Sequence, residues 1–387
     1  FFCYYIYNNT RVGVMDMNTI FDKLENDYKN NSKVSDKIKY LIDKLAQNSN
    51  LEKDEFLYIL DNISTDETSY LFKKAYEVKY IYYQNRVYLR ALIEISSYCN
   101  MGCKYCGINF KVKGIKRYRL TIEEIVRSCE IGYGLGYRTF VMQSGEDSYY
   151  TDELLVEMLR IIKDKFKDVR ITLSIGERSK ESYQKLFDAG ADRYLLRHET
   201  ASRRLYEHIH PSFMSFDNRR ECLYNLKEIG YQVGAGLMVG LPTQTNEDLV
   251  KDLQFLKKLN PEMVGIGPYL CHEDTELKGN ASGTLKQTLI MVALTRLILP
   301  KALLPATTAL GTLDELGREL ALSAGANVMM PNISPTENRA LYEIYQNKIC
   351  VDDKSEFSLK NIEAKINSVD HVIDLGVGDY IDFERNE

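Results

Sequence analysis

An α/β chain that closes as a (β/α)8 TIM barrel behind an N-terminal helical extension is the fold this sequence predicts. Three observations predict it. Eight short runs rich in β-branched and aromatic residues recur between positions 91 and 332. Amphipathic stretches of helical period separate them, several ending in Gly just before the next run, which is the pattern of parallel βα units. Polar side chains gather where the runs end, and a barrel of this kind does its chemistry at the C-terminal ends of its strands.

Residues 1–16 carry no readable pattern. They lack the basic start and apolar run of a signal peptide, and Met15 or Met17 is a candidate natural start. Residues 17–82 read as the helical extension. TIFDKLENDYKN, VSDKIKYLIDKLAQ, LEKDEFLYILDNIS and STDETSYLFKKAYEVKYIYY space apolar residues three and four apart, and Thr65 to Thr68 resemble a helix start. The barrel takes residues 83–350. Its strands are ALIEIS (91–96), YRTFVMQS (137–144), VRITLSIG (169–176), ADRYLLRH (191–198), YQVGAGLMVG (231–240), EMVGIGPYL (262–270), LLPATTAL (303–310) and ANVMMPN (326–332). Helices fall between them, the last reading as one piece, TLDELGRELALSAG. The tail, 351–387, either closes the barrel bottom or packs loosely.

The chain has 387 residues and net charge −5, so no broad basic field is offered to nucleic acid. The most apolar stretch, Met291 to Leu310, is broken by Arg296, Lys301 and two prolines and does not span a membrane. Of eight cysteines, three are clustered and five are scattered singly. That is not a disulfide framework, and it points to a reducing compartment, the cytoplasm.

The expected rim is more polar than a structural barrel needs. It collects Glu146, Asp147, Glu177, Arg197, His198, Glu199, Thr307 and Thr308. The first strand runs into SYCNMGCKYCGINF, where Cys99, Cys103 and Cys106 stand as C-x3-C-x2-C. Thiolates select zinc or iron–sulfur clusters. Structural zinc takes four closed ligands, and the next candidates, Cys129 within a helix and His198, are far along the chain. Three thiolates on a 4Fe–4S cluster leave one iron open to a molecule bearing an amine and a carboxylate.

This cysteine loop after the first strand of a barrel closely resembles that of the radical SAM superfamily. The resemblance implies one three-cysteine 4Fe–4S cluster and S-adenosylmethionine (SAM) as cofactors, with Tyr105 as the aromatic residue beside the last ligand. It implies that Gln143, Ser144, Gly145, Glu146 and Asp147, a single-glycine variant of an acidic turn, receive the methionine ammonium. Arg219 is the expected partner of the methionine carboxylate, with Arg220 as rival. Glu199 is expected at the ribose hydroxyls or the ammonium, and Met238 at the adenine. Outside this setting QSGED reads as an ordinary turn, Arg219 as a surface helix residue and Met238 as core.

Longer stretches narrow the resemblance. MQSGED, YLLRHETAS, GAGLMVGLPTQT, MVGIGPYLCHEDT, MVALTR, PATTALGT and ANVMMPNISP together are similar to the HydE family, radical SAM maturases of FeFe-hydrogenase, from about Leu71 to Val351. The family implies a 5′-deoxyadenosyl radical acting on a cysteine-bound iron carbonyl/cyanide complex. It implies the partner maturases HydG and HydF and an electron donor. Thr172, Arg197, Met263, Thr307, Thr308 and Tyr345 are the substrate-binding residues it implies. No acid–base pair or nucleophile is required, because the cofactor carries the chemistry. His198 is expected in a supporting role, and Cys222 and Cys271 in packing. Some members carry a second cluster site near the C-terminus. Here Cys350 is followed by Ser358 and Asn361 where cysteines would stand, so no second cluster is expected. Two alternatives remain: a methylornithine synthase-like or other small-molecule radical SAM enzyme, and a non-catalytic metal-binding or scaffold protein.

Overall fold

The computed structural model describes residues 35–349 and 355–384, so residues 1–16 and TIFDKLENDYKN lie outside the described residues. Three helices open the described chain: α1 Asp36–Asn48, α2 Lys53–Asn62 and α3 Thr65–Tyr83. A reciprocal capping box starts α3, in which Ser64 and Glu67 each bond the other's backbone N–H. The start therefore lies one residue earlier than the sequence suggested. Leu45, Leu71 and Ala75 belong to the same hydrophobic core as the barrel, and α3 packs on a barrel helix. The extension is thus part of one core.

The chain continues through β1 Arg86–Leu89, β2 Ala91–Ser96, α4 Ile122–Gly134, β3 Thr139–Ser144, α5 Asp152–Lys165, β4 Arg170–Ser174, α6 Lys180–Asp188 and β5 Arg193–Leu195. It then forms α7 Arg203–Ile209, α8 Phe216–Ile229, β6 Gln232–Val239, α9 Asn246–Leu259, β7 Met263–Pro268 and α10 Leu285–Ile298. The closing elements are α11 Thr308–Leu313, α12 Gly317–Ser323, β8 Val328–Met329, α13 Thr336–Arg339, α14 Ser355–Asn367 and β9 Val372–Asp374. Six barrel helices begin in the same way. Thr121, Thr151, Ser179, Ser215, Thr245 and Thr284 each accept the backbone N–H three residues on, which satisfies an otherwise orphaned donor.

Strands β2 to β7 form a six-stranded parallel sheet in chain order. Backbone bonds then complete the ring. Val264 N donates to Leu303 O, Ala306 N to Val328 O, and Leu92 N to Pro331 O, with Ile333 N returning to Leu92 O. The expected seventh strand is shorter than read. Pro305 has no N–H to give, and Thr307 already stands at the N-terminus of α11. The last expected helix is likewise split into α11 and α12 around Asp314, whose carboxylate takes Leu316 N.

Two features of this barrel bear on function. Gly236 and Gly265 lie opposite each other on β6 and β7, so close that a Cβ on Gly236 would come within 2.2 Å of Gly265 O. A barrel interior is ordinarily filled by side chains from alternate strands; here Gly265 and Gly267 of β7 line an open interior, with nothing nearer than 3.9 and 3.4 Å to where a Cβ would stand. At the other end the tail closes the bottom. The Val377 and Gly378 carbonyls and the Asp379 carboxylate accept bonds from Arg90, Thr139, Arg170, Arg193 and Gln232, most of them strand-opening residues, while β9 pairs with β1.

Candidate functional site

The hollow centre is a cavity of about 330 Å3 that the cysteine loop shares. Cys99, Cys103 and Cys106 are free thiols and all line it. The loop is held from several sides. Asn100 N donates to Glu146 O and Gly107 N to Ile344 O. Asn109 Nδ2 reaches the Cys103 and Cys106 carbonyls, and Arg117 donates to the carbonyls of Ser97, Ile108, Asn109 and Val112. Gly145 is fixed by this approach, since a Cβ there would sit 2.4 Å from Cys99 Cβ.

Burial pushes all three thiols up, Cys106 to about 12. At neutral pH they are not thiolates on their own. A metal centre, which deprotonates a coordinating thiol outright, fits three such groups converging on one cavity. A fourth zinc ligand does not come from Cys129, buried within α4, or from His198. His198 is buried, takes the Gly236 N–H on Nδ1 and meets Asp252 through Nε2. The donor set therefore fits a cluster with one iron left for a small molecule.

Gln143, Ser144 and Gly145 line the cavity, and Glu146 and Asp147 do not. Glu146 lies just behind it. Its Oε1 accepts Glu177 N at 3.1 Å and stands 3.8 Å from Arg219 Nη2; burial raises its pKa, against the pull of Arg219. Asp147 corrects the sequence reading. Its carboxylate accepts from Ser96 Oγ (2.7 Å), from Nε and Nη2 on one edge of Arg119, and from Tyr149 N. Burial would raise its pKa, but these bonds lower it overall. It clamps β2 to the following loop and is fully committed there.

Of the two arginines on α8, Arg219 faces the cavity, with Nε 2.8 Å from Glu177 Oε1. Arg220 lies over the rings of Phe216 and Phe255. Glu199 lines the cavity in a left-handed backbone conformation, φ 63°, which is costly for a residue with a Cβ and gathers at functional sites. Its Oε2 is buried without a hydrogen bond among the described residues. Met238 and Tyr105 line the same space, the Tyr105 hydroxyl 3.3 Å from His210 Nε2.

Arg197, Thr307, Thr308 and Tyr345 also line it. The threonines open α11; they do not end a strand. Thr172 and Met263 sit elsewhere, in a small chamber below that shares only Leu195, Gly265, Pro305 and Met330 with the main cavity. Thr172 Oγ1 has no partner among the described residues, and Met263 Sδ takes a bond from Arg90. Cys222 and Cys271 contact carbonyls of Arg178 and Leu277. Cys350 lies outside the described residues, and Asn361 belongs to α14.

Sequence reasoning missed Glu94, Lys348 and Arg318, all lining the cavity. Glu94, ion-paired with Lys348 and bonded by Asn332, was detectable as the one charge in the apolar strand ALIEIS. Lys348 and Arg318 come from segments without a motif.

Comparison with known proteins agrees with this geometry. The family model of the Radical SAM superfamily matches residues 93–256. The FeFe hydrogenase maturase subunit HydE of Thermotoga maritima is 50% identical over 284 residues, 73% of this chain and 81% of that protein. A 3-methylornithine synthase of Methanosarcina acetivorans is 32% identical over 306 residues, 78% and 86% of the two chains. The crystal structure of methylornithine synthase (PylB) matches with TM-score 0.76 at 28% identity, covering 86% of this chain and 97% of that one. The chain belongs to the radical SAM superfamily, as a HydE-family hydrogenase maturase that uses a 4Fe–4S cluster and S-adenosylmethionine.

Proposed function

We propose that this protein acts on a cysteine-bound Fe(II) dicarbonyl cyanide complex, supplied by HydG, to make a building block of the FeFe-hydrogenase di-iron subcluster that passes to HydF. The observation that carries the reading is one cavity holding both the three-cysteine loop and a set of cations and hydroxyls, in a barrel whose open interior Gly265 and Gly267 line. When bound, the cluster and SAM supply a 5′-deoxyadenosyl radical, with an electron from an outside donor.

The chain's own residues bind and orient. Arg219 with Glu146 and Glu177 is a cation between two carboxylates, a match for the carboxylate and ammonium of a methionine zwitterion. Glu199 Oε2, which stands 3.5 Å from Arg197 without a hydrogen bond among the described residues, accepts from ribose hydroxyls. Arg197, Thr307, Thr308 and Tyr345 hold the substrate beyond it. Thr172 and Met263 support the substrate from the lower chamber. Among the described residues no helix is long and apolar enough to cross a membrane, which suits work in a reducing cytoplasm.

A second reading, a methylornithine-type mutase, has the 32% identical synthase in its favour. The double variant Thr307→Val, Thr308→Val separates the two readings when hydrogenase maturation and SAM cleavage are assayed side by side. Maturation should fall well beyond any fall in SAM cleavage; maturation unaffected by the double change would contradict the proposed substrate site.

A further inference from the structure

Six charged side chains line the cavity: Glu94, Arg197, Glu199, Arg219, Arg318 and Lys348. Five have an opposite charge on the protein. Lys348 meets Glu94, Arg197 stands 3.5 Å from Glu199, and Arg219 lies between Glu177 and Glu146. Arg318 is the exception. It is 8% exposed, and among the described residues it has neither an ion pair nor a hydrogen-bonded acceptor for its side chain.

Its placement is built by two glycines. At Gly317 a Cβ would come within 2.1 Å of Leu310 O, so α12 can turn back tightly on α11. At Gly311 a Cβ would meet Arg318 Nε at 3.1 Å, so the bare backbone of α11 lets the arginine stem cross it. The guanidinium therefore reaches the cavity wall that Thr308 and Tyr345 also form. A buried charge with no partner among the described residues is costly, so a ligand that brings an anion to this spot gains what those residues withhold.

We propose that Arg318 anchors the α-carboxylate of the amino-acid part of the substrate. The assignment rests on the reading above, in which two amino-acid carboxylates enter one cavity, that of SAM and that of the substrate cysteine. Arg219 serves the first and Arg318 the second. A planar guanidinium matches a carboxylate through two parallel bonds, which a lysine cannot reproduce.

The test is a binding titration of reconstituted, SAM-loaded protein, read from retained iron and from the carbonyl infrared bands. Two probes are used: the cysteine-bound iron dicarbonyl cyanide complex, and its cysteamine counterpart, which lacks the carboxylate. Cluster content and circular dichroism establish that each variant is intact. Arg318→Gln should weaken the cysteine complex roughly tenfold or more and leave the cysteamine complex nearly unchanged, with Arg318→Lys between. Undiminished binding of the cysteine complex by Arg318→Gln overturns the proposal, as does an equal loss for both probes. If the wild-type protein binds neither complex, the substrate reading has failed separately, and 3-methylornithine, the amino acid for which the 32% identical synthase is named, becomes the probe. Loss of its binding in Arg318→Gln then supports the carboxylate anchor with a different ligand, and unchanged binding sinks it.

Discussion

Arg219 Nε stands 2.8 Å from Glu177 Oε1, while its neighbour Arg220 lies over the rings of Phe216 and Phe255. A single residue step of α8, about 100° of helical rotation, thus separates a cavity-facing cation from one laid on aromatic rings, which the sequence left as rivals. Arg219→Ala should lower SAM affinity about ten- to a hundredfold, the worth of a charge-assisted bond, and Arg220→Ala should change it little. Equilibrium binding of SAM to the reconstituted variants checks both; equal effects would remove the distinction.

The three thiols are expected to act as a set. Cys103→Ser should lose the cluster, read as iron and sulfide per chain and as the electron paramagnetic resonance signal after reduction. Wild-type iron content in that variant would reassign the ligands.

Arg193, which opens β5, is fully buried and meets Asp379 Oδ1 at 2.6 Å. Asp379→Ala would leave that guanidinium without its carboxylate, and breaking a buried pair in this way costs about 3 kcal/mol or more. The midpoint of urea unfolding should fall accordingly. An unchanged midpoint would mean that the tail only rests on the barrel bottom.

Lys79 on α3 is buried against His371 of the tail, Nζ to Nε2 at 2.5 Å, with Tyr76 and Arg296 nearby. Burial, and then Arg296, lowers its pKa from 10.5 to about 7. Between those values the unfolded chain holds a proton that the folded chain does not, so stability rises with pH across that window. Lys79→Met should flatten the rise and stabilise the protein below pH 7, by on the order of a few kcal/mol. Denaturation midpoints at several pH values measure it; a slope unchanged by the substitution contradicts the assignment.

Much of this was legible in the sequence where local rules act alone. ALIEIS became β2 without a change of boundary, and Gly230, closing one of the periodic stretches, caps α8. The cysteine loop was legible from spacing. Other features depend on tertiary partners. Asp147 sits in the right motif, yet Arg119 and Ser96 draw it away from the cavity. Thr172 and Met263 lie on inward-facing strands but one layer too low. The short β1 was invisible because its partners, β8 and β9, are hundreds of residues away. Lys348 and Arg318 matter only through Glu94 and the glycines that position them, and nothing in their own segments announces that.

The central claim, that a SAM-derived radical meets an iron carbonyl substrate in one cavity, has a direct test. Anaerobically reconstituted protein with dithionite and SAM is assayed for 5′-deoxyadenosine, with and without the cysteine-bound iron dicarbonyl cyanide complex. The account predicts that the complex diverts the radical, so free 5′-deoxyadenosine falls and an adenosylated iron product appears. SAM cleavage that proceeds identically with and without the complex would contradict it.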